Sequence, residues 1–174
     1  MIMNSKSKRN GFTLIETMVS LGVFMVAMTI IMAAFLNMMD IQKKTGAFRK
    51  VNDNLNFAME AMMREIREGT GWNVSDENLV FTNKAGEIIT YTLNSSSGGD
   101  NYIERKVGIK PQRLTSDGIN IKSLSFSVRG NVAGDKQQPI VTISISGESG
   151  IKAKLKSKLN LQTTVSQRKL DTEL

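Results

Sequence analysis

One carboxylate, Glu16, lies between a basic N-terminus and a long uncharged run. Of the charged groups in the chain, it is the one whose position most requires a specific partner. The 23 residues from Thr17 to Met39 contain no charged side chain. Because roughly 20 apolar residues in a helix span the hydrocarbon core of a bilayer, this run predicts a membrane-crossing segment. An unpaired carboxylate costs on the order of 2.5–3.5 kcal/mol at the bilayer centre and less near the interface. Glu16 is therefore expected to act through a positively charged partner.

The partner of Glu16 must come from outside the run, since the next two helical turns are apolar or neutral. Processing of the chain would also create one. Cleavage between Gly11 and Phe12 would free an α-amine on Phe12, four residues before Glu16. The leader ahead of that bond is basic and lacks acidic residues, which is the bias of a segment kept in the cytoplasm. Its basic residues are Lys6, Lys8 and Arg9.

The segment Gly11 to Glu16, read as GFTLIE after a short basic leader, resembles the class III signal of type IV pilins and type II secretion pseudopilins. The resemblance implies that prepilin peptidase cleaves between Gly11 and Phe12 and then methylates the Phe12 amine. It also implies that Glu16 pairs with the Phe12 amine of a neighbouring subunit during filament assembly. The detailed likeness covers residues 6 to about 39, and a looser one continues to about residue 68.

Two plainer explanations of the N-terminus are a signal-anchor helix with an interfacial glutamate and an ordinary secretory signal peptide. A signal peptide usually has an apolar region of about 7–15 residues that ends in a small-residue cleavage site. The run in this chain is longer and continues into further helix, so an ordinary signal peptide fits poorly.

Composition narrows the chemistry of the remaining chain. There is no cysteine and no histidine, so thiol chemistry is excluded and the commonest general base and metal ligand are missing. No Walker loop or other phosphate-binding glycine motif is present. Asp100–Asn101 and the segment 117–120 offer oxygen ligands for calcium, but they lack the dense acidic spacing of a calcium loop, and turn roles explain them. We therefore predict a protein that is not an enzyme, with no cofactor and no metal.

Behind the apolar run, apolar residues recur at spacings of three and four, as on one side of an amphipathic helix. The recurring residues are Phe48, Val51, Leu55, Ala58, Met59, Met62 and Ile66. Charged residues, Glu65 among them, fill the other face. No proline interrupts residues 12–67, and Gly69 with Gly71 provides a stop signal. The pattern predicts one helix from about Thr13 to Glu68.

From Trp72 onward the apolar period is two, which predicts strands. We expect a hairpin over residues 79–93, a strand at 102–107, a strand at 119–128 with a bulge near Lys122, and a last hairpin of 140–146 with 151–165. The predicted fold class is α+β: a long N-terminal helix, transmembrane in its first half and amphipathic in its second, packed on an antiparallel β-sheet.

These elements divide the chain into five predicted segments. They are a cleaved basic leader (1–11), a transmembrane and assembly helix (12–39), an amphipathic helix (40–68), an antiparallel β domain (69–165) and a polar tail (166–174).

Four lysines alternate along the predicted last strand and would form a basic stripe on one face. They are Lys152, Lys154, Lys156 and Lys158. DNA phosphates, anionic lipid or an anionic wall polymer could bind such a stripe. Lysines on the solvent face of an edge strand also prevent edge-to-edge aggregation. The second explanation is favoured, and DNA binding is disfavoured, because no aromatic side chains interleave with the lysines.

The resulting hypothesis is a structural, pilin-like or pseudopilin subunit of a filament that serves adhesion, motility, secretion or DNA uptake. Residues 55–68 and the β-rich remainder resemble minor subunits of the J and W type. The resemblance implies a single-pass membrane protein with a cytoplasmic leader and an extracytoplasmic C-terminal domain, assembled in a surface or periplasmic filament. Its expected partners are other pilin-like subunits, prepilin peptidase, the inner-membrane assembly platform and membrane lipid.

The alternative hypothesis is a membrane-anchored extracytoplasmic binding module that never polymerises. Such a module would use the lysine stripe to bind an anionic partner. Glu16 separates the two hypotheses, because a filament subunit needs this carboxylate and a simple anchor does not.

Overall fold

The computed structural model describes residues 11–131, 137–150 and 155–168. Within these ranges it contains one helix and eight strands. Helix α1 comprises Leu14–Glu68. The strands are β1 (Thr70–Ser75), β2 (Asn78–Thr82), β3 (Ile88–Ser95), β4 (Asn101–Val107), β5 (Lys110–Arg113), β6 (Asn120–Arg129), β7 (Ile140–Ser149) and β8 (Ser157–Ser166). The chain divides between residues 42 and 43 into two compact units.

The first unit, as far as it is described, consists of the N-terminal part of α1 and the three residues before it. Every residue from Gly11 to Met39 is exposed. The most apolar 18-residue window of α1 has a mean hydropathy of 2.4, and none of that window is buried. By length and composition α1 can therefore cross a membrane.

The second unit is built around the amphipathic part of α1. Six residues of the predicted stripe are buried there: Val51, Leu55, Ala58, Met59, Met62 and Ile66. Burial of a large aliphatic side chain contributes about 1.5–3 kcal/mol, so this stripe is a main source of the unit's stability. Phe48, the seventh predicted member, is 45% exposed, and its assignment to the core was wrong. It lies beyond the end of the stripe and borders a shallow surface hollow with Lys44 and Ser157.

The predicted α+β layout, a long helix packed with antiparallel strands, is confirmed, but the strands form two sheets where one was expected. The first sheet is a five-stranded meander in the order β1-β2-β3-β4-β5, and the second is a three-stranded meander in the order β6-β7-β8. Both contribute to one core with α1, through residues such as Tyr91 from the first sheet and Ile143 from the second. Alternating polarity indicates which face of a strand is buried, whereas it does not indicate which strand is its neighbour.

The change of sheet occurs after β5, where residues 114 and 115 still bond to β4. The Leu114 N–H donates to the Ile103 carbonyl at 2.8 Å, and the Ile103 N–H donates to Thr115 Oγ1 at 3.2 Å. Asn120, the first residue of β6, accepts a hydrogen bond at Oδ1 from the Asn101 N–H at 3.2 Å. From there β6 pairs with β7 only.

Several local predictions are confirmed. Strands β2 and β3 form the expected hairpin, and β4 begins at Asn101, one residue before its predicted start. The register of β6 against β7 shifts between Ile121 and Ser123, so the predicted bulge is present and Lys122 is its extra residue.

Two strands were missed, and the last hairpin was placed wrongly. Strands β1 and β5 are short and largely exposed, so neither gives the alternation that marks a half-buried strand. In the last hairpin β7 continues to Ser149 and β8 begins at Ser157. The turn therefore begins about three residues later than predicted, and residues 151–154 lie outside the described residues.

The start of the predicted polar tail is hydrogen-bonded to the end of α1 and to the residues just before β7. The Arg168 N–H donates to the Arg67 carbonyl at 3.0 Å, near the end of α1. Gln138 Nε2 donates to the Gln167 carbonyl at 2.8 Å. Residues 169–174 lie outside the described residues, so the prediction of a fraying tail remains untested there.

Gly69, directly after α1, offers a test of this packing. A Cβ built on Gly69 would overlap Phe81 Cδ2 and lie 2.8 Å from Phe81 Cε2. Phe81 is fully buried and stacks on Tyr91 with ring centroids 6.1 Å apart, so its ring has no free space to move into. We expect Gly69→Ala to lower the free energy of unfolding by about 1–3 kcal/mol, the usual cost of overpacking. Denaturant unfolding of the full chain, followed by the fluorescence of its single tryptophan, Trp72, measures this.

Gly46→Ala is the matched control, because no atom of the described residues lies within 4 Å of a Cβ built at that exposed helical position. There alanine should be neutral or stabilise the helix by up to about 1 kcal/mol. Equal effects of the two substitutions would contradict the close approach of Gly69 to Phe81.

Candidate processing and assembly site

Thr13 caps the N-terminus of α1. Its carbonyl accepts a hydrogen bond from the Thr17 N–H at 3.1 Å, and its Oγ1 accepts one from the Glu16 N–H at 3.3 Å. Side-chain capping of this kind satisfies one of the free N–H groups of the first helical turn. This cap was not predicted from the sequence, although a threonine followed three residues later by a glutamate is the signature of a capping box. Thr13 therefore defines where the helix begins.

The predicted scissile bond lies immediately before this cap. Gly11 and Phe12 have no helical conformation and are exposed, with Phe12 80% accessible. Among the described residues, no atom lies within 4 Å of a Cβ built on Gly11. The basic leader residues Lys6, Lys8 and Arg9 lie outside the described residues. The described part of the site is an open, non-helical dipeptide joined to a capped helix.

Glu16 lies in the first turn of α1 and is exposed. A carboxylate in this position interacts favourably with the helix dipole. Among the residues that the structure describes, no basic side chain forms an ion pair with Glu16. Its predicted partner, the Phe12 amine of another subunit, is outside a single chain. The role of Glu16 in assembly remains a prediction.

From Leu14 to Met39, α1 exposes large apolar side chains around its whole circumference. Large side chains from Leu14 to Met39 have exposures between 39% and 80%. In a soluble protein a patch of this size would aggregate, so it requires lipid or other apolar helices around it. An exposed apolar surface of this kind is typical of a helix that lies in a membrane or packs among other apolar helices.

Comparison with known families supports this conclusion. Residues 6–32 match the family model described as the prokaryotic N-terminal methylation motif. The match includes the basic leader, the Gly11–Phe12 bond and Glu16. No curated protein and no solved structure shows significant similarity to the chain.

The motif and the fold together support a type IV pilin-like or pseudopilin protein. The motif marks the N-terminus of this class, and its layout is a long N-terminal helix, apolar first and then amphipathic, whose amphipathic part packs with antiparallel sheets. The motif and the long apolar helix also indicate a single-pass, membrane-anchored protein, and the class that the motif marks consists of structural proteins. The predicted J or W subtype is not identified by the match and stays a prediction.

Two of the four lysines of the predicted stripe, Lys156 and Lys158, lie around Glu148 in the structure. Lys122 joins them there. Lys156 Nζ lies 2.9 Å and Lys122 Nζ 3.1 Å from Glu148 Oε1, and Lys158 Nζ lies 3.9 Å from Oε2. Lys156 precedes β8 and is not in the strand as predicted. Lys152 and Lys154 lie outside the described residues. The prediction of a stripe on one strand was therefore wrong for Lys156, because β8 begins only at Ser157.

Glu148 organises this cluster because it is buried, with only 4% of its surface exposed. Hydrogen bonds from Lys156 and then Lys122 hold the pKa of its carboxyl below the ordinary value, against the opposing effect of burial. Lys158 is its direct neighbour across the β7–β8 ladder, and Lys122 is the bulged residue of β6. Bulges commonly re-aim a side chain, which explains how Lys122 reaches Glu148.

Glu65 forms a second polar cluster, between α1 and the first sheet. Arg105 Nη2 donates to Glu65 Oε1 at 2.6 Å and Arg105 Nε donates to Oε2 at 2.9 Å, while the Tyr91 hydroxyl donates to Oε2 at 2.7 Å. Burial raises the pKa of Glu65, but the hydrogen bonds from Arg105 and Tyr91 outweigh it and lower the pKa overall. Burial and the bond to Glu65 raise the pKa of Tyr91. The prediction that Glu65 lies on the solvent face was wrong.

The calcium candidates have structural partners. Asn101 Oδ1 accepts a hydrogen bond from Ser95 Oγ at 2.8 Å, and Asp117 forms an ion pair with Arg113. Within the described ranges no group of three or more acidic side chains is placed to hold a metal ion.

Proposed function

We propose that this protein is a structural subunit of a type IV pilus or pseudopilus, processed by prepilin peptidase and assembled into a filament through its N-terminal helix. The observation that carries the proposal is the methylation motif at residues 6–32, whose Gly11–Phe12 bond lies exposed ahead of a capped apolar helix. The J or W minor subtype is the finer form of the proposal, supported by residues 55–68 and the β-rich remainder.

Each part of the site has a role in this function. The leader keeps the N-terminus in the cytoplasm, and the open Gly11–Phe12 segment enters the peptidase. Cleavage frees the Phe12 amine, which then receives a methyl group. In the filament Glu16 of one subunit binds the Phe12 amine of another, because both charges would otherwise lie unpaired in an apolar environment. The exposed apolar surface of α1 packs against neighbouring helices.

The partners follow from the same steps. They are prepilin peptidase, the inner-membrane assembly platform, membrane lipid and other pilin-like subunits. The protein needs no catalytic residue of its own, no cofactor and no metal, because its function is assembly. The second unit lies on the extracytoplasmic side and is displayed along or at the end of the filament.

Intact-mass spectrometry of protein from the native membrane tests the processing step. We expect a chain that begins at Phe12 and carries one added methyl group. In a host without prepilin peptidase the same chain should retain residues 1–11. A chain that begins at Met1 in a host with the active peptidase would refute the proposal.

The second candidate function is a membrane-anchored binding module that never polymerises. The cluster of Lys122, Lys156 and Lys158 around Glu148 is the observation that favours it, since three ammonium groups share one carboxylate. Such a module would be anchored normally without Glu16, whereas a filament subunit would not assemble.

A further inference from the structure

We propose that the second unit binds anionic phospholipid headgroups at the end where α1 enters it. The surface consists of Lys44, Lys50, Lys122, Lys156 and Lys158 with the exposed ring of Phe48, and we call it the basic collar. The inference rests on the membrane anchoring that the proposed function includes, and it does not depend on filament assembly.

The charges of α1 are segregated along the second unit. Residues 43–50 contain four basic side chains and no acidic one, whereas residues 51–68 contain four acidic and two basic ones. All four basic residues in the first stretch are exposed. Lys43 follows Met39, the last residue of the uncharged run, by four positions. The positive end of this helix segment is therefore the end that leaves the membrane.

The second sheet brings further lysines to the same end of the unit. Ser157 Oγ donates to the Lys44 carbonyl at 3.1 Å, so the start of β8 lies against the first turn of this helix segment. Lys156 and Lys158 flank Ser157 in the chain. Lys50 Nζ lies 2.7 Å from a Cβ built on Gly118, whose carbonyl accepts a hydrogen bond from Ser149 at the end of β7. Helix and strand lysines thus share one surface.

Glu148 binds Lys122, Lys156 and Lys158, but its single negative charge is smaller than their combined positive charge. Its buried carboxylate contacts three ammonium groups. The side chains of Lys122, Lys156 and Lys158 are nevertheless 47%, 39% and 75% exposed. One carboxylate cannot neutralise three lysines, so the cluster presents a fixed positive surface to solvent.

Phe48 indicates that the anion belongs to a lipid. Its ring is 45% exposed and borders one hollow with Lys44, Lys156 and Lys158. An apolar ring beside basic side chains suits the boundary between headgroups and acyl chains, where such residues bury their apolar parts and keep their charges in water. A single aromatic ring does not provide the stacking platform that single-stranded nucleic acid uses. The position next to the uncharged run also favours a bilayer.

Native mass spectrometry of the full chain in neutral detergent tests the collar, with phosphatidylglycerol and phosphatidylcholine supplied in equal amounts. Because each lysine near an anionic surface strengthens binding several-fold, we expect a preference for phosphatidylglycerol of about tenfold or more. Lys44→Gln/Lys50→Gln should reduce it to about twofold or less while leaving Glu148 and its lysines intact. Lys156→Gln/Lys158→Gln should have the same effect if that variant folds.

The matched control is Lys84→Gln/Lys110→Gln, which removes the same charge from the β2–β3 turn and from β5. This variant should keep the parent preference. No preference in the parent, or equal loss in the control and collar variants, would overturn the proposal. So would displacement of the lipid by an equal concentration of inorganic phosphate, or equal competition by a DNA duplex.

The result of this lipid-binding test can be distinguished from the result of the tests of the proposed function. Loss of lipid preference in a collar variant that is still cleaved at Gly11–Phe12 and still enters filaments supports the collar and leaves assembly untouched. A parent chain without lipid preference that is processed and assembled normally refutes the collar alone.

Discussion

Replacing Glu65 with alanine should lower the free energy of unfolding by about 2–3 kcal/mol. The substitution leaves Arg105 and the Tyr91 hydroxyl without the acceptor to which both now donate. Breaking a fully buried ion pair costs about 3–5 kcal/mol. Here the side chains of Arg105 and Glu65 are 19% and 26% exposed, so water replaces part of the lost interaction and the cost is smaller.

Denaturant unfolding of the full chain in neutral detergent, followed by Trp72 fluorescence, measures this effect. Glu60→Ala is the matched control, because Glu60 is an exposed glutamate on the same helix. We expect a change below about 0.5 kcal/mol at that position. Equal destabilisation by the two substitutions would contradict the proposed link between α1 and the first sheet.

The pH dependence of Glu65→Gln provides an independent check. The folded protein lowers the pKa of Glu65 below its ordinary value of 4.5, so the charged carboxylate stabilises the fold at neutral pH. That contribution is present above the unfolded pKa and is lost as the pH falls through the folded pKa. The stability difference between the parent and Glu65→Gln should therefore narrow as the pH falls below about 4.5. A difference that grows on acidification would contradict this account.

The long helix was predictable from the sequence because its signals are local. Uncharged residues, spacings of three and four, and terminal glycines placed a helix from about Thr13 to Glu68, and α1 comprises Leu14–Glu68. The bulge at Lys122 was also predictable, since it breaks the alternation of one strand. The N-terminal motif could be recognised because its residue types occur in a fixed order.

The features that escaped prediction depend on residues far apart in the chain. The division into two sheets follows from the bonds of residues 114 and 115 to β4, which no periodicity reveals. Glu65 was assigned to the solvent face because its partner, Arg105, is 40 positions away. Glu148 lies in the stretch that was read as a turn, and its burial among lysines of β6 and β8 required the strand pairing.

The second large effect is expected at Glu16, through its proposed role in assembly. Replacing Glu16 with leucine removes a desolvated charge, so membrane insertion should be unharmed or slightly improved. Cleavage should persist, because it depends on Gly11 and the basic leader. Incorporation into filaments should fall sharply, since the Phe12 amine of the neighbouring subunit loses its counter-charge at a cost of about 3–5 kcal/mol.

Glu16→Gln separates charge pairing from helix capping. The bond to Thr13 Oγ1 comes from the backbone N–H of residue 16 and survives either substitution. Glutamine, like glutamate, has in addition a side chain that can accept a hydrogen bond from the Thr13 N–H in a capping box, whereas leucine does not. If pairing with the amine is the essential role, Glu16→Gln should also assemble poorly. Full assembly of Glu16→Gln together with poor assembly of Glu16→Leu would instead assign Glu16 to the start of the helix.

The most direct measurement is the amount of each variant in sheared surface filaments, or cross-linked to sibling subunits, relative to the amount in the membrane. The parent should be found in both fractions. Glu16→Leu and Glu16→Gln should accumulate in the membrane, cleaved after Gly11, with a ratio of filament to membrane protein at least about 100-fold below that of the parent. Equal incorporation of the parent and Glu16→Leu would contradict the filament function and leave a membrane-anchored binding module.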